Sequence, residues 1–370
     1  MPDLPSTLPP SGALLDWYDR HRRSMGWRGA SDPYRIWVSE VMLQQTTVAA
    51  VGPRYERFLA RFPTVRALAE APWEEVAAEW AGLGYYARAR NLHAAAKAVL
   101  GRGGFPETEA GLRDLPGIGA YTAAAVAAIA FGVPTVPVDG NVERVVSRVL
   151  AIREALPGAR RIIAPAAARF MEQGAARGRP GDFAQALFDL GATICTPRRP
   201  ACALCPWRGD CEAQRSGIQD GLPVKAPKTA RGQRYGTHFL ARDPAGRMLL
   251  RHRPPTGLLG GMLEIPGTPW TGAPPDDDAA MEHAPLPGLA WRALPGTARH
   301  GFTHMDVDMR LMAAEVPAGP APEGFLWMEA AAARVALPTL MRRLLALADA
   351  AAPAAAGGGS APGRRRPRAG

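Results

Sequence analysis

All four cysteines of this 370-residue chain fall within 17 residues: Cys195, Cys202, Cys205 and Cys211, spaced C-x6-C-x2-C-x5-C. A segment this short must wrap its own backbone round whatever the thiols hold, so it dictates one local structure before any helix is assigned. The start of the chain, MPDLPSTLPP, has neither the positive stretch nor the apolar run of a secretory signal. A cytoplasmic location is therefore expected, where disulfides are rare. Four thiolates on one loop suit a tetrahedral metal or an iron–sulfur cubane. Zinc ribbons usually use two C-x-x-C pairs and only one is present, so a [4Fe–4S] cluster is favoured over a structural zinc. Four thiolates round a 2+ core carry about −2 by charge counting. Arg198, Arg199 and Arg208 lie between the cysteines. They either compensate that charge or contact phosphate.

The hydrophobic period changes once along the chain. Residues 11–220 repeat apolar side chains at helical spacing. Helices are expected at 12–22, 72–84, 85–102, 120–132, 141–152, 159–173 and 182–195, with 34–62 split in two at Gly52-Pro53. Residues 221–234 form a Pro/Gly/Lys/Arg linker. Beyond it, 237–242, 246–253, 262–267, 305–316 and 325–329 read as strands, and 337–350 as a terminal amphipathic helix. The expected fold class is multidomain: an N-terminal extension (1–10), an all-α domain with the cysteine loop (11–220), the linker, an α+β domain (235–350) and a disordered basic tail (351–370).

The formal charge of +10 points to an acidic partner, most often nucleic acid. It is unevenly placed: +4 in 1–220, +4 in the linker, −2 in 235–350 and +4 in the tail. The linker and tail are thus expected to add sequence-blind, salt-sensitive affinity. No apolar run reaches the ~18 residues of a membrane span. A monomer acting away from membranes is expected.

LPGIG (115–119) precedes an Ala-rich helix, and its two glycines permit a tight turn with positive φ. The helix N-terminus that follows offers free N–H groups to a phosphate. Asp139, in VPVDGNV, lies 20 residues beyond Gly119 at the end of an apolar run. From that segment alone it reads as a helix N-cap.

Taken together, the hairpin, the aspartate and the cysteine spacing resemble the helix-hairpin-helix DNA glycosylases of the endonuclease III superfamily. SEVMLQQT (39–46), GLGYYARARN (82–91), VDGNV (138–142) and DLGATICTPRRPACALCP (189–206) resemble the adenine DNA glycosylase branch, of MutY type. The resemblance spans roughly residues 12–350. It implies a base-excision repair enzyme that removes adenine mispaired with 8-oxoguanine or guanine in double-stranded DNA, in the bacterial cytoplasm and on the nucleoid when bound, with a C-terminal Nudix-like domain reading the oxidised base.

The resemblance also implies site roles. Hydrolysing an adenine N-glycosidic bond requires protonating the purine and stabilising positive charge on the sugar, which two carboxyl groups in different environments satisfy. Glu40 sits between Val38, Val41, Met42 and Leu43, where burial would raise its pKa and keep it protonated. From the segment alone a solvated helix-face glutamate is the favoured reading. By resemblance Glu40 is the acid, Asp139 the ionised stabiliser, and Tyr121 and Asn141 line the site. Gln45 and Tyr85 match intercalating residues. Leu115, Gly117 and Gly119 form the DNA-binding hairpin, with Arg198 and Arg199 as phosphate contacts. Trp27, Arg28, Leu43, Val48 and Gln185 match the adenine pocket. Lyase relatives carry a Schiff-base lysine at the hairpin-helix position. This chain has Tyr121 there, Glu143 after GNV, and Lys97 as its single lysine before residue 221. A monofunctional glycosylase is expected.

GLLGGMLEIPG (257–267) resembles the opening of a Nudix fold, but no R-E-x2-E-E follows it. That domain is therefore read as a binding module, with Phe302, Thr303 and His304 reading the oxidised base. The family usually has serine where Thr303 stands. Three other readings are weaker. A pyrimidine glycosylase/lyase lacks its lysine. A non-catalytic DNA-binding or cluster-carrying protein needs neither Glu40 nor Asp139. A nucleotide diphosphatase lacks its metal-binding box.

Overall fold

The computed structural model describes residues 7–227, 230–254, 257–302 and 304–351. The chain divides into two compact units, Met1–Lys228 and Thr229–Gly370.

The first unit is helical. Its elements are α1 (Ser11–His21), α2 (Pro33–Leu43), α3 (Val48–Arg61), α4 (Val65–Glu70), α5 (Trp73–Glu79), α6 (Tyr86–Gly101), α7 (Glu109–Arg113), α8 (Ala120–Phe131), α9 (Gly140–Val149), α10 (Arg160–Ala168), α11 (Gly174–Gly178), α12 (Pro180–Thr193) and α13 (Glu212–Arg215). They bury two apolar cores. One, formed by α2 to α8, packs Trp37, Phe58, Phe62, Leu68 and Trp80. The other, formed by α1, α9, α10 and α12, packs Leu14, Phe170, Phe183 and Trp207. Helices α2 and α8 of the first core face α9 and α12 of the second across a cavity.

The break expected at Gly52-Pro53 lies instead at Gln44–Thr47, and both residues sit inside α3. The Thr47 side chain accepts the Ala50 N–H and starts a new helix there. Pro53 follows in the second turn, where it forgoes a single backbone bond. Helices α4, α7 and α11 are too short to show a period, which is why the sequence pattern misses them.

The second unit is a mixed sheet with helices. Its strands are β1 (Gly232–Arg242), β2 (Met248–His252), β3 (Leu263–Glu264), β4 (Arg292–Ala293), β5 (Ala298–Gly301), β6 (Met305–Glu315) and β7 (Phe325–Met328). The order is β3-β2-β1-β6-β4, with β5 on β6 and β7 on β2. Strands β1 and β6 run parallel, from Gly232 opposite Met305 to Arg242 opposite Glu315. Helices α14 (Asp277–Met281), α15 (Ala330–Ala336) and α16 (Thr339–Ala351) complete it. Helix α16 buries Leu340, Met341, Leu344 and Leu345 in the core of this unit.

Both ends of the expected linker are tied down. Leu156 donates to the Val224 carbonyl at 2.9 Å and accepts from the Ala226 N–H at 3.2 Å. At the other end, residues 232–234 are already strand. Backbone pairing holds these residues without an apolar pattern to announce it. The tail beyond residue 351 lies outside the described residues. No helix among the described residues is long and apolar enough to cross a membrane.

Helices α7 and α8 are joined by the LPGIG turn. Leu115 is buried in the first core and anchors it, so the turn presents backbone rather than that side chain. Gly117 has φ +70°, and a Cβ there would stand 2.3 Å from Cβ of Asn91 on α6. Gly119, the N-cap of α8, has φ −85° and open space around it. Gly117→Ala should therefore destabilise the chain by about 1–3 kcal/mol, and Gly119→Ala by less than about 1 kcal/mol. Urea unfolding of both variants checks this; equal midpoints would contradict the turn geometry.

Candidate active site and cysteine cavity

The cavity between the two helical cores has a volume of about 760 Å³. Glu40, on α2, reaches it yet is only 6% exposed. Tyr121, in the first turn of α8, donates its hydroxyl to Glu40 Oε2 at 2.6 Å. Burial pushes the Glu40 carboxyl above the usual range, opposed by the Tyr121 hydrogen bond and the Arg28 charge. Burial and the Glu40 charge push the Tyr121 hydroxyl up as well.

Asp139 caps α9 and lines the same cavity, so the N-cap and site readings of this residue coincide. Its carboxylate accepts three N–H donors: Asn141 N at 2.9 Å, Val142 N at 2.8 Å and Asn141 Nδ2 at 2.9 Å. Burial raises its pKa, and those donors together with Arg144 pull it back down.

Trp27, Arg28, Leu43, Val48, Gln185 and Gln45 line this cavity with Asn141, Gly117 and Gly119. Trp27 is also a core residue, edge-on to Tyr55 with centroids 5.5 Å apart. Tyr85, by contrast, lies outside the lining, at the N-cap of α6 and 60% exposed. Arg198 and Arg199 are exposed on the cysteine loop, away from the cavity. Lys97 is exposed on α6 and does not line it either. Glu143 is buried and paired with Arg160 at 2.6 Å.

Two supporting residues escape sequence reasoning. Asp189, on α12, is fully buried and holds Arg23 at 2.7 Å and Arg28 at 2.8 Å. An acid inside the apolar run DFAQALFDLG was its signal. Arg144, on α9, donates to Asn141 Oδ1 at 2.8 Å, to the Gly191 carbonyl at 2.7 Å and to the Cys195 carbonyl at 2.7 Å. A Cβ at Gly191 would meet the Asn141 Cβ at 2.6 Å, so glycine there lets α12 close on α9.

The four cysteines line a second cavity with Arg148 and Trp207. Cys195 follows α12 and Cys211 caps α13. Among the described residues, no three His, Cys, Asp or Glu side chains are gathered as ligands of one metal ion. Four thiols round one cavity supply the ligand set that a cubane cluster requires. Burial pushes the Cys205 thiol up to about 12 and raises those of Cys202 and Cys211. Arg148, 1% exposed, donates to Cys195 Sγ at 3.3 Å and to the Thr196 carbonyl at 2.7 Å. Arg148 thus brings a cation from α9 against the cysteine cavity.

In the second unit, Phe302 N donates to the Met305 carbonyl at 2.7 Å and closes the β5–β6 hairpin. The Phe302 ring lies 4.6 Å from His300 and 6.0 Å from Trp270. His304 is exposed, and Thr303 lies outside the described residues. Glu264 is buried between Arg251 and Arg253, Asp276 caps α14, and Asp277 pairs with Arg310.

Residues 38–166 match the HhH-GPD superfamily of base excision DNA repair proteins. Residues 195–211 match the iron-sulfur binding domain of endonuclease III, and residues 237–347 a NUDIX domain. The adenine DNA glycosylase of Homo sapiens is 35% identical over 86% of this chain and 69% of its own length. That of Mycolicibacterium smegmatis is 37% identical over 76% of this chain and 93% of its own. A solved thermostable thymine-DNA glycosylase is similar in fold, with a TM-score of 0.50 and 30% identity, covering 56% of this chain and 95% of that one.

A carboxyl whose pKa rises on folding binds its proton more tightly in the folded chain. The stability it contributes is present at low pH and is lost as pH rises through the raised value. Glu40→Gln should accordingly match the parent in stability near the ordinary glutamate pKa and exceed it increasingly above. Denaturant midpoints across pH measure this; a gap that stays constant with pH would contradict the burial of Glu40.

Proposed function

The chain belongs to the adenine DNA glycosylases of base excision repair, and we propose that it hydrolyses the N-glycosidic bond of adenine opposite 8-oxoguanine, or guanine, in duplex DNA without cutting the strand. The observation that carries this reading is the pairing of buried Glu40 with Tyr121 in one cavity with the α9 cap Asp139.

Glu40 protonates the leaving purine, burial favouring the protonated form that this step needs, and its carboxylate then takes a proton from the water that adds to the sugar. Tyr121 holds that carboxyl in place. Asp139, steadied by Asn141 Nδ2 and two backbone N–H groups, stabilises the positive charge that develops on the sugar. Arg28, tethered to buried Asp189, and Trp27 border the base with Leu43, Val48 and Gln185. The adenine reaches them only after leaving the helix stack, and Gln45 and Tyr85 fill the gap it leaves. The hairpin backbone round Gly117 and Gly119, together with Arg198 and Arg199, takes phosphates. The absence of a lyase step rests on Tyr121 at the hairpin-helix position and on Lys97 lying away from the cavity.

The cysteine cavity holds a [4Fe–4S] cluster, ligated by Cys195, Cys202, Cys205 and Cys211. When bound, it braces the loop that follows α12. In the Nudix-like unit, Phe302, Thr303 and His304 read the oxidised base. The engagement of Glu264, Asp276 and Asp277 by other partners supports a reading role there rather than metal-dependent hydrolysis.

A duplex with one 8-oxoguanine:adenine pair tests the activity. The parent should yield strand breaks only after alkali, and Glu40→Gln should reduce excision by at least about 100-fold, the contribution of a general acid. The parent rate should fall as pH rises through the raised Glu40 pKa. Breaks without alkali would refute the monofunctional assignment; full activity of Glu40→Gln would refute its role. Replacing Phe302, Thr303 and His304 together by Ala should slow excision opposite 8-oxoguanine more than opposite guanine. Equal losses would remove the damage-reading role of that loop.

A further inference from the structure

Gln45 and Tyr85 come from different loops, and neither has an ordinary backbone. Gln45 has φ 57° and Tyr85 φ 49°, a region that residues with side chains occupy only when their surroundings impose it. Both side chains are exposed, so packing of their own does not impose it. One guanidinium does. Arg88, in the first turn of α6, donates Nη1 to the carbonyls of Val41 at 3.0 Å, Met42 at 3.0 Å, and Gln44. Its Nη2 donates to the Leu83 carbonyl at 2.9 Å, the Gly84 carbonyl at 3.3 Å and the Thr46 hydroxyl at 3.2 Å.

The first three acceptors are carbonyls at the end of α2 that have no helical partner, where a cation is also favoured by the helix dipole. The others lie beside the two residues with positive φ. Arg88 also sits over the rings of Trp80 at 5.5 Å and Tyr85 at 5.4 Å. Only a planar fork with several donors reaches both loops at once; a lysine has one nitrogen.

We propose that Arg88 is a positioning residue that locks the Gln45 and Tyr85 loops into one preformed wedge, so that base extrusion draws on both residues as a unit. The proposal rests on the reading that Gln45 and Tyr85 enter the duplex. It goes beyond that reading in assigning their conformation and their coupling to a residue that touches neither base.

The test uses the full chain with Arg88→Met, Arg88→Lys, Gln45→Ala and Tyr85→Ala. Extrusion is followed by the fluorescence of 2-aminopurine placed at the target adenine. Single-turnover excision is measured on a fully paired duplex and on one whose target adenine lies in an unpaired bubble. Arg88→Met should slow extrusion and paired-duplex excision by roughly 10- to 100-fold, as losing a charge-assisted hydrogen bond would, while bubble excision stays within about threefold of the parent. Tyr85→Ala should add little on the Arg88→Met background. Equal losses on both substrates would make Arg88 a helix cap only and overturn the proposal, as would Arg88 and Tyr85 effects that multiply. Should Arg88→Met fail to fold, Arg88→Lys keeps the charge without the fork and carries the same readouts. If Gln45→Ala and Tyr85→Ala leave extrusion unchanged, the wedge reading itself fails. If they slow it and the Arg88 variants do not, the wedge stands and the clamp falls.

Discussion

Helix α9 sets the register between the catalytic cavity and the cysteine loop. Asn141, Arg144 and Arg148 recur at three- and four-residue intervals, so they share one face of this helix. That face meets α12 and the segment after it. Asn141 orients the Asp139 cap, Arg144 joins Asn141 to the carbonyls of Gly191 and Cys195, and Arg148 reaches the Cys195 sulfur. A one-residue slip of α9 would turn all three side chains by about 100° and release the cap and the loop together. Burying two arginines on one helix is costly unless every donor is used. Here the cost is met by carbonyls at the end of α12 and in the cysteine loop, so the loop must be in place for the helix to be.

The same logic explains what the residues revealed and what they hid. The four cysteines, the LPGIG turn and Asp139 were legible because each is a short, local pattern with a physical reason for its spacing. Glu40 stood out as an acid among apolar neighbours, and the structure buries it. Asp189 carried the same signal within α12, yet its partners Arg23 and Arg28 are over 160 residues away in sequence. Nothing local specifies such a pairing. Arg88 and Arg144 were harder still, since their partners are mostly backbone carbonyls, which every residue possesses. In the second unit, β4 and β5, of two and four residues, were missed for want of a period, and the outer end of β1 is held by pairing with β6 rather than by burial of its side chains.

Charge follows a comparable division. Several arginines are already committed: Arg23 and Arg28 to Asp189, Arg88 to two loops, Arg144 and Arg148 to the cysteine loop. They shape the site and contribute less to bulk attraction than a count of basic residues suggests. Arg198, Arg199 and Arg208, by contrast, are exposed on the cysteine loop, where their charge is open to screening by salt.

The two carboxyl groups of the cavity are both pushed toward protonation by burial, so burial alone does not assign the acid and the anion. Their partners do. Glu40 meets a hydroxyl, which donates to a carboxylate and, by rotating, accepts from a carboxylic acid. Either protonation state of Glu40 keeps a satisfied hydrogen bond, as a group that gives up and regains a proton requires. Asp139 meets three N–H donors and, among the described residues, no hydrogen-bond acceptor. A proton on its carboxyl would have to point away from all of them, and the cap of α9 would weaken. The ionised state is thus coupled to the helix terminus that α9 needs, which links the proposed electrostatic role of Asp139 to the folding of the element that carries it.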